Sequence, residues 1–253
     1  MMVAPRSPGL AVPDAFPPSV AAEEQRMRLA WAKRPQKDPR YSWSNAGHLL
    51  NRQERERAAL RALARHDFLP LASKSILEVG CGTGGWLRDF VRWGAQPTDI
   101  TGIDLLPDRV SEAQRLCPPG VRLECGSATQ LPWAAEEFDL VLQATTLTAV
   151  LDRPVRRQIA GEMRRVLKPG GLILWYDFRF DNPWNRDVQG IGKQEIRELF
   201  PGYKVELRRV TLAPPVARWV AARSRLAAAM LASFPFLLTH YLGVLLPPEA
   251  PAI

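Results

Sequence analysis

Three glycines at alternate positions follow a short apolar run, and this stretch is the first place where the sequence could do chemistry. The run is Ile76 to Val79, which contains Glu78, and Gly80, Gly82 and Gly84 come next. Glycine accepts positive φ and has no side chain, so another molecule can approach its backbone closely. A turn between a strand and a helix also leaves unpaired N–H groups for a ligand. The spacing predicts a ligand-binding turn, although a purely structural turn also uses glycine.

An acidic residue stands at the end of the next apolar run. Ile100 to Ile103 is followed by Asp104, twenty-four residues after Gly80. A carboxylate at the tip of the second strand suits hydrogen bonding to a ribose diol. That spacing would also fit a nicotinamide enzyme, but the nicotinamide fingerprint is G-x-G-x-x-G. Here the turn reads E-x-G-x-G-x-G, with Glu78 before the first glycine.

Alternating strand and helix patterns surround these residues and must position them. Several strands joined by helical connections predict a parallel, doubly wound α/β sheet with helices on both faces. The predicted strands are 76–79, 100–104, 121–125, 138–142, 172–178, 203–212 and 241–246. The predicted helices are 23–31, 49–66, 86–91, 107–116, 152–167, 192–200 and about 215–232.

Four motifs together resemble the class I S-adenosylmethionine-dependent methyltransferases, of the small-molecule, type 11-like kind. They are the glycine turn, Gly126-Ser127-Ala128 with Leu131-Pro132-Trp133, Phe138 to Val141, and Glu162 to Gly171. The resemblance covers about Ser75 to Pro247. It implies a Rossmann-like sheet of seven strands whose last strand is antiparallel, with S-adenosyl-L-methionine as cofactor.

The same resemblance implies a set of cofactor-binding residues. Glu78 would lie near the cofactor's ammonium or sulfonium, Asp104 would bind the ribose, and Leu105 would lie against the adenine. Serine stands at 127 where the family usually has aspartate, which would weaken cofactor binding by about 1 kcal/mol. The full set is Glu78, Gly80, Cys81, Gly82, Gly84, Asp104, Leu105, Ser127, Ala128 and Gln143.

The acceptor side is predicted from polar and aromatic clusters outside the glycine turn. One cluster, Tyr41 to His48, precedes the core and is expected to close over the cofactor as a lid; the other follows the fifth strand. The expected substrate-pocket residues are Tyr41, Trp43, Asn45, Asp177, Arg179 and Asn182. A hydroxyl or amine acceptor needs a general base, and the candidates are His48, Asp177 and His240. Asn182-Pro183-Trp184 differs from the N-P-P-Y motif of base-amino methyltransferases in sequence and in position.

Length, charge and composition limit the expected number of domains, the partners, the metal content and the location of the protein. The 253 residues suit one domain with extensions, and the net charge of +8 permits nucleic acid, anionic membrane or acidic substrates as partners. The three cysteines match no zinc pattern, so no metal is expected. Met1 to Val20 contains prolines rather than a signal-peptide core, which predicts a cytoplasmic protein. The uncharged stretch from Leu226 to Pro248 is expected to split into a helix and a strand, with peripheral membrane contact left open.

These patterns predict the domain organisation and leave three functions open. Residues 1–40 are expected to be largely disordered, and residues 41–253 to form the methyltransferase domain, with a lid at 41–66 and a helical insertion at about 215–235. The favoured function is methyl transfer to a small molecule such as a sugar, lipid precursor or secondary metabolite. An RNA methyltransferase is favoured only by the basic charge. A non-catalytic cofactor-binding protein is favoured slightly by Ser127.

Overall fold

A seven-stranded sheet organises the chain. The computed structural model describes residues 18–35, 38–183 and 185–248. The strands are β1 (Ile76–Val79), β2 (Ile100–Asp104), β3 (Arg122–Cys125), β4 (Phe138–Ala144), β5 (Leu167–Phe178), β6 (Lys204–Leu212) and β7 (Leu238–Leu246). Their order is β3-β2-β1-β4-β5-β7-β6. Strands β1 to β5 pair in parallel, and β7 is antiparallel to both β5 and β6. The predicted fold class, including the antiparallel last strand, is confirmed.

Strand β1 lies in the interior of the sheet, and every one of its residues is buried. It pairs with β2 on one side and β4 on the other, with Val79 opposite Ile103 and Gln143. Since parallel strands end at the same edge of the sheet, Gly80, Asp104 and the residues after β4 meet there.

Helices cover both faces of the sheet. The helices are α1 (Pro18–Ala32), α2 (Ala46–Arg65), α3 (Gly85–Arg92), α4 (Pro107–Leu116), α5 (Arg153–Val166), α6 (Lys193–Leu199), α7 (Pro214–Ala221) and α8 (Arg225–Leu231). One apolar core contains Ile159 of α5 and Ile196 of α6, and the other contains Leu63 of α2 and Phe90 of α3. Polar side chains cap several helices: Asn45 accepts hydrogen bonds at the start of α2.

Helix α1 differs from the sequence-based expectation. The sequence predicts a helix at 23–31 within a largely disordered stretch of residues 1–40, but α1 begins at Pro18; residues 1–17 lie outside the described part. Tertiary contacts hold α1: Val20 is buried in the core, and the Glu23 carboxylate accepts a hydrogen bond from the Leu151 N–H. The structure therefore contains the expected helix and extends it by five residues toward the N-terminus.

The chain between β6 and β7 forms two short helices rather than the single helix predicted over 215–232. Helix α7 ends at Ala221, and the Ser224 hydroxyl caps α8 by accepting a hydrogen bond from the Ala227 N–H. Strand β7 then begins at Leu238, three residues before the predicted start. Across the described residues, none of the helices combines the length and the apolar character that crossing a bilayer requires.

Candidate functional site

A cleft of about 230 Å³ lies where β1 and β4 end. Helix α1 forms one wall with Met27 and Trp31, and α2 contributes Arg55. The other lining residues are Glu78, Gly80, Cys81, Gly82, Thr83, Gly85, Trp86, Arg109, Ala144, Thr145, Thr146, Ala149 and Tyr176. The cleft therefore combines the glycine turn with an apolar and aromatic wall.

The glycine turn has a conformation that side chains would disturb. Gly80 has φ 73° and Gly82 has φ 53°, a region that other residues rarely adopt. A Cβ at Gly82 would also collide with the guanidinium of Arg109. The Asp104 carboxylate fixes this turn, because it accepts hydrogen bonds from the Gly82 N–H at 2.8 Å and the Leu106 N–H at 3.0 Å. The two parts of the predicted motif therefore form one hydrogen-bonded unit.

Glu78 lines the cleft and is almost completely buried. Its residue is 2% exposed, and its Oε2 has no hydrogen-bond partner among the described residues. Burial raises the pKa of Glu78 well above its ordinary value, while the charge of Arg55 opposes the shift. A buried carboxylate with a free oxygen is suited to a cationic ligand that would pair with it.

Arg55 is the main cleft residue that the sequence patterns did not single out. Its guanidinium lies 4.1 Å from the ring centroid of Trp86 and 5.6 Å from that of Tyr176. Its Nη2 donates to Asp89 at 3.2 Å, and burial lowers the pKa of Arg55. Arg55 is one of several arginines in α2, and nothing in the local sequence separates it from its exposed neighbours.

Cys81 and Gly84 take different positions in the turn. Cys81 lines the cleft, and burial raises the pKa of its thiol. Gly84 lies behind the turn with φ 72°, at the start of α3, and does not line the cleft.

The four other residues expected to bind the cofactor lie beside the cleft rather than in its wall. The Leu105 carbonyl accepts a hydrogen bond from Arg28 of α1 at 2.9 Å. The Ser127 hydroxyl bonds to the Thr129 hydroxyl at 2.6 Å, and Ala128 packs partly buried against the core. Gln143 is fully buried, and its Nε2 has no partner among the described residues.

Two of the three general-base candidates are buried outside the cleft wall. The Thr148 hydroxyl donates to the Asp177 carboxylate at 2.5 Å, and burial raises the pKa of Asp177 to about 7. His240 stacks on Tyr176 with centroids 4.7 Å apart, and burial lowers its pKa to about 3. Neither side chain lines the cleft.

The third candidate, His48, lies in a second depression of about 520 Å³. The rings of Tyr41 and Trp43 meet His48 edge-on, with centroids at 5.8 and 6.0 Å. Burial, then Arg52, lowers the pKa of His48. The depression meets the cleft through two shared residues, Thr83 and Gly85. The cluster that was expected to close over the cofactor therefore lies next to the cleft, whereas α1 forms its wall.

The remaining substrate-pocket candidates do not line the cleft. Asn45 is occupied in capping α2. Arg179 donates to the Leu238 carbonyl at 2.6 Å, and its guanidinium lies 4.7 Å from the Phe180 ring. Asn182 lies in the loop after β5, and Trp184 lies outside the described residues.

Comparison with known proteins identifies relatives of the central part of the chain. A family model described as a methyltransferase domain matches residues 76–171. A phthiotriol/phenolphthiotriol dimycocerosates methyltransferase of Mycobacterium ulcerans is 35% identical over 124 residues, which are 47% of this chain and 44% of that protein. The chain matches about half the length of such relatives.

Two solved structures share the fold. One is a methyltransferase in complex with the Trm112 methyltransferase activator of Haloferax volcanii: TM-score 0.59, 19% identity, 83% of this chain and 96% of that chain covered. The other is the [4+2]-cyclase SpnF: TM-score 0.57, 19% identity, 85% and 86% covered. At these identities the likeness is one of fold.

Proposed function

Because residues 76–171 match a methyltransferase domain model and a methyltransferase is 35% identical over 124 residues, we propose that this chain is a class I S-adenosylmethionine-dependent methyltransferase that transfers a methyl group to a lipid-like small molecule. The observation that carries the proposal is the cleft at the glycine turn, which Glu78 lines and where its buried Oε2 has no hydrogen-bond partner in the described part of the chain. The family's cofactor carries an ammonium group and a sulfonium, so its cationic end suits that carboxylate.

Different residues around the turn bind different parts of the cofactor in this proposal. Glu78 pairs with the ammonium group, and Asp104 accepts hydrogen bonds from the ribose hydroxyls while it holds the Gly82 N–H. Gly80 and Gly82 allow close approach to the backbone. Leu105, Ser127 and Ala128 follow β2 and β3 and border the adenine. When bound, S-adenosylmethionine supplies an electrophilic methyl group.

The acceptor is proposed to be apolar because apolar and aromatic side chains line part of the cleft. Trp86 and Tyr176 lie with ring centroids 5.9 Å apart, and Met27 and Ala149 line the same cleft. Such walls bind molecules through burial of apolar area. A lipid class is also supported by the relatives named as phthiotriol methyltransferases.

In this proposal the protein accelerates the reaction mainly by positioning the acceptor against the methyl group. Asp177 and His240 lie outside the cleft wall, and His48 lies in the adjoining depression. The wall from α1 excludes water, and Arg55 and the aromatic rings orient the acceptor toward the methyl group. Any general base would reach the acceptor from the adjoining depression, which contains His48.

The decisive experiment follows a labelled methyl group. The protein is incubated with methyl-labelled S-adenosylmethionine and either total lipid or total RNA from the source organism, and the label in each fraction is counted. We expect label in the lipid fraction, and label in RNA alone would replace the lipid proposal with the RNA alternative.

A matched pair of variants tests the proposed cofactor site. Asp104→Asn should weaken S-adenosylmethionine binding in calorimetry by about 1 to 3 kcal/mol, because a charged acceptor is lost. Asp108→Asn, in the exposed first turn of α4, is the control and should bind normally. A thermal shift with NAD and none with S-adenosylmethionine would contradict the cofactor assignment itself.

A further inference from the structure

Helices α7 and α8 and the segment that follows them carry large apolar side chains that are exposed to solvent. Trp219 is 63% exposed, Leu226 74%, Met230 62% and Phe236 70%, and Phe234 lies beside Phe236 with ring centroids 5.8 Å apart. These five residues are named here the apolar outer surface. They fall within eighteen residues of sequence, and a soluble monomer rarely exposes so many large apolar side chains together.

The opposite sides of both helices are fixed to the protein. Val220 of α7 and Ala228 of α8 are buried in one cluster, against which Ala46 and Leu50 of α2 pack. A Cβ on Gly47 of α2 would collide with the backbone of α7, so the two helices touch closely. Since both helices bury their small residues against the same support, their large residues remain exposed to solvent.

The charged residues of the segment that carries this surface have a single sign, although Asp38 of a neighbouring segment is close enough to Arg218 to interact with its charge. From Leu207 to Pro248 the sequence contains five arginines and no acidic residue or lysine. Arg218, Arg223 and Arg225 belong to this segment, and the Arg223 guanidinium lies 4.5 Å from the Trp219 ring centroid. Arginine beside exposed tryptophan and phenylalanine is the composition of a helix that lies in a membrane interface.

We propose that the apolar outer surface inserts into the interface of a bilayer that contains anionic lipid. The aromatic and aliphatic side chains enter the boundary between headgroups and acyl chains, and the arginines pair with anionic headgroups. A second copy of the same surface fits less well, because it would bring arginines against arginines. The inference stands on surface chemistry and is independent of the acceptor's identity.

The surface is also connected to the cleft. The helix that supports α7 and α8 is α2, and the same helix places Arg55 in the cleft. Docking through α7 and α8 would therefore hold the catalytic domain at the membrane in a fixed orientation.

Vesicle flotation tests the proposal with the full chain. Wild-type protein should float with vesicles of phosphatidylglycerol and phosphatidylcholine, float poorly with phosphatidylcholine alone, and dissociate as salt rises. The double variant Trp219→Ser/Phe236→Ser should lose flotation. Leu116→Ser is the matched control, because Leu116 is 48% exposed in α4 at the other edge of the sheet, and it should float like wild type.

Charge variants and two further readouts complete the test. Arg223→Gln and Arg225→Gln should each weaken binding to the anionic vesicles about fivefold. An unchanged thermal shift with S-adenosylmethionine shows that the variants are folded. The proposal is overturned if wild type ignores anionic vesicles, or if light scattering finds a dimer that the double variant abolishes.

Discussion

At the scale of single residues, Glu78 has the least usual environment, since it is a carboxyl group within the central strand of the sheet. Burial raises its pKa, so in the ligand-free protein ionisation of Glu78 destabilises the native state. That destabilisation grows as pH rises above 4.5, the ordinary pKa from which the shift starts. A cationic ligand would offset it, which links the stability of the domain to cofactor binding.

Glu78→Gln separates these two effects. The variant should have a higher free energy of unfolding than wild type at pH 8, because the buried charge is gone. It should also bind S-adenosylmethionine at least tenfold more weakly, because a charge-assisted hydrogen bond is lost. Urea unfolding and titration calorimetry measure the two quantities. A less stable variant that binds normally would show that Glu78 has a structural role alone.

At the scale of elements, α1 contributes more to the cleft than the aromatic cluster before α2. Trp31 lies between two guanidinium groups, with Arg34 at 3.8 Å and Arg109 at 4.2 Å from its ring centroid. Arg28 ties α1 to the Leu105 carbonyl. Arg26 of α1 also donates to the Ala149 carbonyl. Helix α1 is therefore hydrogen-bonded to the loop after β2, through Leu105, and to the loop after β4, through Ala149.

Trp31→Ala tests whether α1 retains the cofactor. Two cation–π contacts are lost, each of about 0.5 to 2 kcal/mol, so S-adenosylmethionine should dissociate at least several-fold faster in stopped-flow measurements. Trp43→Ala is the matched control, because the Trp43 ring also contacts an arginine but lines the second depression. Equal dissociation rates in wild type and Trp31→Ala would remove α1 from the cofactor site.

Local sequence patterns predict the core elements and the turn, but not the walls of the cleft. Gly80, Gly82 and Asp104 are close to their strands in sequence, so a strand-turn-helix pattern is enough to place them. Arg55 and Trp31 reach the cleft through the tertiary packing of α2 and α1, which no short-range periodicity encodes. For the same reason His240 is predicted at the edge of a strand yet lies buried beneath the cleft wall.

At the scale of the whole molecule, stability should depend on pH through several buried groups. The pKa of His240, about 3 in the folded protein, is below its ordinary value of 6.5. Neutral His240 therefore contributes stability that is fully present above pH 6.5 and is lost as pH falls toward 3. Asp177 and Glu78 act in the opposite direction, because burial raises their pKa values.

His240→Phe isolates the histidine's share of this dependence. Phenylalanine keeps an aromatic ring against Tyr176 and Phe178 but cannot take up a proton. Between pH 6.5 and 4 the free energy of unfolding should fall less steeply for the variant than for wild type. Parallel slopes in urea unfolding at several pH values would show that His240 does not govern the acid response.

The position of β7 between β5 and β6 has a consequence for how the protein is made. The ribosome synthesises both neighbours before β7, so neither can complete its pairing while α7 and α8 are being added. From the end of β6 at Leu212 to the end of β7 at Leu246 is 34 residues, or roughly 2 to 7 s of translation. During that interval β5 presents an open apolar edge, the kind of edge that pairs with other chains and aggregates. The segment that carries α7 and α8 therefore lengthens the time for which the β5 edge of each nascent chain stays unpaired.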